Sequence, residues 1–254
     1  MLIYVLFLVL LFCFIQDFKK GIIYYAPFKF LFSHGIPSHV GAFELDTLFT
    51  FVLFGYWCLI NRNEFRKFPL KKAILVMEFA SLVYACNPHF AITVLLDSLS
   101  PYLYLIMFFS VIRKKSDVVL FTKVICVYVL VLNGNAICEL VGYNVVGNQL
   151  LSVMTPESYW ADDAGMRGAF FRLHSFVPHS IGYGVENVVF LAYFFMIYMY
   201  RHDILKKEKA MFYMAVCLIG VFFSGSRSPL LGGIIILLPF IANKKMFNTL
   251  TRSK

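Results

Sequence analysis

The chain has 254 residues, of which 60% are hydrophobic and only 15% charged, a balance that excludes an ordinary soluble domain and points to an integral membrane protein. Its net charge of +9 would suit a nucleic-acid partner, but the basic residues fall in short loops between apolar runs, and that distribution excludes nucleic acid. Six cysteines (Cys13, Cys58, Cys86, Cys126, Cys138 and Cys217) are scattered through apolar segments without a Cys-x-x-Cys pair or a histidine at ligand spacing; they read as small buried hydrophobes, with no metal or cofactor implied.

A membrane helix needs about 20 mostly apolar residues, about 30 Å at 1.5 Å per residue. By that measure apolar runs fall near 1–16, 43–60, 73–90, 91–112, 118–141, 179–200, 210–224 and 229–243. The expected fold is therefore all-α: a polytopic transmembrane bundle of about 8 spans forming a single domain over 1–254. The first run has no basic n-region and no small-residue cleavage site before Asp17-Phe18-Lys19-Lys20, which fits a retained span better than a signal peptide.

Lysine and arginine gather on the cytoplasmic side of membrane proteins. Here Arg62, Arg66, Lys67, Lys71 and Lys72 follow the second run, and Arg113, Lys114 and Lys115 the fourth. Arg201, Lys206, Lys207 and Lys209 follow the sixth, and Lys244, Lys245, Arg252 and Lys254 the eighth. Every second loop is basic, so both termini are expected in the cytoplasm. Lys19, Lys20 and Lys29 break the pattern, placing the apolar segment 22–32 outside as an interfacial stretch. Also outside is a long loop, 142–178, between the fifth and sixth runs, with Tyr159-Trp160 suited to a headgroup-level anchor. A loop of that length is more often functional than decorative.

The stretch Phe223-Ser224-Gly225-Ser226-Arg227-Ser228-Pro229-Leu230-Leu231 puts one arginine on a polar turn between two short apolar runs. Each run covers only about 22 Å, so the turn is expected below the outer surface, where irregular backbone survives if packed in protein or facing water. Arginine at that depth needs a counter-charge or an anion. Ser228 as N-cap and Pro229 as first helical residue would start a helix there and add its free N–H groups to an anion site. The plainer reading has Arg227 snorkelling to headgroups or paired with a carboxylate. Glu78, Asp97, Glu139 and Glu186 are the candidates, Asp97 and Glu186 being closest in depth. A second basic constellation, from Arg167 through Arg172, His174 and His179, falls at the same membrane face, where basic residues are not expected.

The turn resembles the Ser/Thr-Gly-Ser-Arg-Ser/Gly motif of the O-antigen ligase and polymerase family. Arg172-Leu173-His174-Ser175-Phe176-Val177-Pro178-His179-Ser180-Ile181-Gly182-Tyr183-Gly184 resembles that family's upstream Arg…Ser-Phe…His-Pro-Ile…Gly segment, and the two stand in the family's order, separated by one span, a basic loop and another span. The resemblance implies a membrane glycosyltransferase at the outer face of the bacterial inner membrane. It would polymerise or ligate polyprenyl-diphosphate-linked glycan units in O-antigen, capsule or exopolysaccharide assembly. The acceptor would be a glycan or lipid A-core, with no nucleotide sugar or metal. Arg227 and Arg172 are the positions carried over as catalytic, binding the lipid diphosphate. Arg167, His174, His179, Ser226 and Ser228 are candidates for substrate binding.

Family members continue past this point with further spans and a large external loop that holds a catalytic histidine. The resemblance covers about 45–243, which implies a short or C-terminally truncated member. An alternative of another class follows: a non-catalytic accessory or transporter-like membrane protein that binds a lipid-linked glycan. No Gly-x-x-x-x-Gly-Lys-Ser/Thr occurs, which excludes a P-loop nucleotidase. A Gly-x-Ser-x-Gly nucleophile elbow is absent as well.

Overall fold

The computed structural model describes residues 2–32, 39–40, 43–60, 71–84, 88–142, 166–167, 170–177 and 179–242. These form nine helices and two hairpins of two-residue strands. The fold is all-α in character, as composition and the apolar runs imply. The chain packs as two compact units, residues 1–121 and 122–254.

The first unit holds α1 (Leu2–Gln16), α2 (Phe18–Phe32), the hairpin β1 (His39–Val40) and β2 (Phe43–Glu44), α3 (Leu45–Ile60), α4 (Lys71–Tyr84) and α5 (Pro88–Val111). Asp17 makes the corner between the first two helices. Its own N–H still bonds Cys13, its side chain accepts from Lys20 N at 3.1 Å, and its carbonyl accepts from Gly21. Desolvation alone would raise the Asp17 carboxyl, but the N–H and ammonium of Lys20 hold it below the usual carboxylate range. Gly21 lets the two helices close, because a Cβ there would meet the Phe14 ring at 2.7 Å.

The segment expected at an interface is instead the buried helix α2, with Ile22, Ile23, Tyr25 and Ala26 in the core. Two of its three lysines do not hold it at a surface because each meets a largely buried carboxylate, while Lys20 pairs with the exposed Asp17. Lys29 pairs with Asp46 of α3 at 2.5 Å and donates to Ser100 of α5 at 2.8 Å. Lys19 pairs with Asp117 at 2.6 Å. Tyr25 adds a bond to Asp46, and the Phe14, Tyr25, Phe49 and Tyr104 rings meet edge to face around it. Trp57 donates to Ser110 across α3 and α5 at 2.9 Å.

Helix α6 (Lys115–Leu140) runs from one unit into the next. The second unit continues with the hairpin β3 (Met166–Arg167) and β4 (Phe170–Phe171), then α7 (Ser180–Tyr200), α8 (Lys207–Phe223) and α9 (Arg227–Ala242). Its core is a polar junction inside apolar walls. Tyr183 donates to Asn133 at 2.7 Å, Asn133 to Asn187 at 2.9 Å, and Asn187 back to the Tyr183 carbonyl at 2.9 Å. Gly220 of α8 lies against both carboxamides; a Cβ there would stand 2.6 Å from Asn187. Such side-chain bonds hold helices together where apolar burial alone does not discriminate between neighbours.

Among the described residues two helices, α6 and α7, are long and apolar enough to cross a membrane by length and composition, with mean hydropathies of 1.8 and 1.5. Shorter apolar helices cover Asp46–Ile60, Ser98–Val111 and Arg227–Pro239. At 15, 16, 14, 17 and 16 residues, α1, α3, α4, α8 and α9 fall short of the ~20 that span a bilayer upright. Most of the loop 142–178, including Tyr159-Trp160, lies outside the described residues.

Candidate functional site

The site is built on the three-residue turn that joins α8 to α9. Helix α8 ends in a regular way, Ser224 N bonding Gly220 O at 3.0 Å and the Ser224 hydroxyl bonding Val221 O at 2.7 Å. Gly225 then takes φ +60, the left-handed region where a side chain is strained, and reverses the chain. Helix α9 begins at Arg227, and the first bond of its ladder runs from Leu230 N to Ser226 O at 3.3 Å. Ser226 therefore occupies the N-cap position, two residues before the expected Ser228. Pro229 sits in the first turn, where its missing N–H would have had no helical acceptor in any case.

Close packing holds this turn in place. A Cβ on Gly184 of α7 would lie 2.7 Å from the Ser224 hydroxyl and 2.7 Å from the Pro229 ring, so only glycine lets α7 approach. From the other side, hairpin β3–β4 hands the chain to Arg172, which is 7% exposed. Leu173 N bonds Phe223 O at 2.9 Å, Arg172 Nη2 donates to the Ser226 hydroxyl at 2.7 Å, and Nε faces Ser224 O at 3.4 Å.

Arg172, Ile181, Ser226, Arg227 and Ser228 line a cleft of about 220 Å³. Arg172 is buried and bonded into its wall, whereas Arg227 is exposed on the first turn of α9. The cleft combines two guanidinium groups, two hydroxyls and a helix start, and none of its described lining residues is a carboxylate. That combination favours an anion, by charge, by forked donors and by the helix dipole. Its volume is below the roughly 300–1,000 Å³ of sites that engulf drug-sized ligands, and suits a compact group such as phosphate or diphosphate.

The acidic residues considered as partners for Arg227 are otherwise engaged where they are described. Glu186 accepts from the Tyr128 hydroxyl at 2.8 Å, and Glu78 from Ser98 at 2.6 Å. Glu139 binds the segment after Arg172. Its Oε2 accepts from His174 N at 3.1 Å and Ser175 N at 2.7 Å, and its Oε1 faces His174 Nε2 at 3.1 Å. The side chain of Asp97 lies outside the described residues, as does that of Arg167, whose backbone forms β3.

The two histidines take structural contacts. His174 has both ring nitrogens occupied, Nε2 against Glu139 and Nδ1 3.2 Å from Val177 O. His179 caps α7, its Nδ1 accepting from Ile181 N at 3.0 Å. Neither lines the cleft. Ser175, between them, holds φ +58, a conformation costing a non-glycine residue on the order of 1–3 kcal/mol. Its hydroxyl donates to Leu132 O at 2.7 Å and accepts from Asn135 at 3.1 Å. Ser175 and Ile181 belong to the segment that carries the resemblance but are not among the candidate site residues; the Gly182-x-Gly184 pair at a helix start is the local signal for the close approach of α7. No protein-family model, curated protein or solved structure matches the chain.

Proposed function

We propose that this chain is a multi-pass membrane protein of the bacterial inner membrane that acts on polyprenyl-diphosphate-linked glycans, as a polysaccharide polymerase or O-antigen ligase. The observation that carries the reading is the meeting of Arg172 and Arg227 in one cleft at the start of α9, with no carboxylate among its described lining residues. The alternation of basic loops with apolar helices supports membrane embedding.

In this reading an acceptor hydroxyl attacks the anomeric carbon of the donor. A new glycosidic C–O bond forms, the C–O bond to the lipid diphosphate breaks, and the diphosphate leaves with the electron pair while the hydroxyl proton passes to solvent. Arg172, fixed by Ser226, and Arg227, on the open side, neutralise the charge that grows on the diphosphate oxygens. Guanidinium suits this because its planar fork binds two oxygens at once and stays charged. The described residues lining the cleft are arginines, serines and an isoleucine, and the work assigned to the arginines is to hold and discharge the leaving group.

The test is surface-glycan assembly in cells carrying Arg172→Ala or Arg227→Ala. Each variant is expected to abolish polymer or ligated glycan while the protein still accumulates in the membrane. Arg227→Lys, which keeps the charge and loses the fork, is expected to be impaired as well. Normal polymer length and amount in either alanine variant would overturn the reading.

A further inference from the structure

We infer that Glu139 is the positioning residue of this cleft: by accepting the paired backbone N–H groups of His174 and Ser175 it sets where Arg172 stands. The inference rests on the reading of the cleft as a diphosphate site.

Arg172 reaches Ser226 from a stretch without helix or strand, residues 172–177. An arginine on such a stretch would wander unless something rigid held the backbone. The rigid element is α6, whose Tyr128 ring meets Phe176 and which holds the stretch through at least five polar contacts. Glu139 makes three of them, to His174 N, Ser175 N and His174 Nε2. The Ser175 hydroxyl makes two, to Leu132 and Asn135. Two successive N–H groups, those of His174 and Ser175, meet one oxygen of Glu139, which is how a short backbone segment cradles an anion. Here the anion is supplied by the protein and is 7% exposed. Strained backbone persists when its surroundings over-determine it, and the Glu139 carboxylate is what the two N–H groups converge on.

The arrangement also separates the charges. Glu139 binds the backbone two and three residues beyond Arg172 and is not among the residues lining the cleft. It fixes the arginine without occupying the donors an incoming phosphate would use.

The test is calorimetric titration of the detergent-solubilised full chain with inorganic pyrophosphate. Wild type is expected to bind. Glu139→Ala is expected to weaken binding about tenfold or more, the scale of losing charge-assisted hydrogen bonds. Glu139→Asp keeps the charge but withdraws the carboxylate by one methylene, is the gentler variant for folding, and is expected to show a similar loss. Glu139→Gln retains an oxygen for both N–H groups and an amide to face His174, and is expected to recover binding to within about threefold. In an Arg172→Ala background, Glu139→Ala is expected to cost nothing further, as coupled residues require. Wild-type affinity in Glu139→Asp, or an undiminished loss in the Arg172→Ala background, would overturn the positioning role alone. A wild-type protein that does not bind pyrophosphate would overturn the diphosphate reading, and this role with it.

Discussion

Ser226 carries three loads at once: it stands at the N-cap position of α9, its carbonyl starts the helix ladder, and its hydroxyl receives Arg172. Ser226→Ala removes that acceptor from a guanidinium that is 7% exposed. The expected cost is about 1.5–3 kcal/mol of site organisation, read as a drop of about tenfold or more in glycan-transfer rate or pyrophosphate affinity, while the arginines remain. Unchanged transfer would mean the bond is incidental. The two arginines were legible in the sequence because a lone cation on a short polar turn, and another on the same face, are costly where they stand. The start of α9 was misplaced by two residues because proline suits the whole first turn, not its first position alone. The sequence alone offers Glu139 only as a counter-ion for Arg227. Its actual partners, the N–H groups of His174 and Ser175, lie 35 and 36 residues away on a stretch with no period, and spacing rules have no access to such a meeting.

At the scale of elements, apolar length placed eight of the helices, and α2 escaped because its three lysines and Pro27 disguise a buried segment as an interfacial one. What hydropathy cannot see is that Asp46 is waiting for Lys29. The pair is 11% and 13% exposed, buried enough for breaking it to be costly and for its replacement by apolar side chains to be tolerated. Lys29→Met alone is expected to lose about 3–5 kcal/mol and to fall sharply in membrane yield and melting temperature. Lys29→Met combined with Asp46→Leu should recover most of that loss. If the single and double variants melt alike, the pair does not hold α2 in place. Helix α8 shows the opposite economy: Gly220 gives up side-chain packing so that Asn133 and Asn187 can meet, and no feature of the sequence marks it apart from the other glycines.

For the whole molecule, the multi-pass topology proposed from the alternation of basic loops can be tested from either side of a membrane. A single cysteine at Leu205, in the turn between α7 and α8, is expected to react with an impermeant maleimide only after the cells are opened. One at Val141, just past the end of α6, is expected to react in intact cells. Labelling of both from the same side would defeat the multi-pass arrangement. The two units were not legible in the sequence, because no linker or change of composition marks residue 121; the boundary falls inside α6, a helix whose pattern runs unbroken.

The bond between Arg172 and Ser226 closes across 54 residues, and that span has a meaning in time. A ribosome adding about 5–20 residues per second leaves Arg172 without its serine for roughly 3–11 s while α7 and α8 are still being made. Glu139 precedes it, so the backbone after Arg172 can settle on α6 as soon as it emerges. With the positioning role inferred for Glu139, the nascent chain would hold a prepared berth for a turn not yet synthesised, and α9 would complete the cleft by starting beside an arginine already in place.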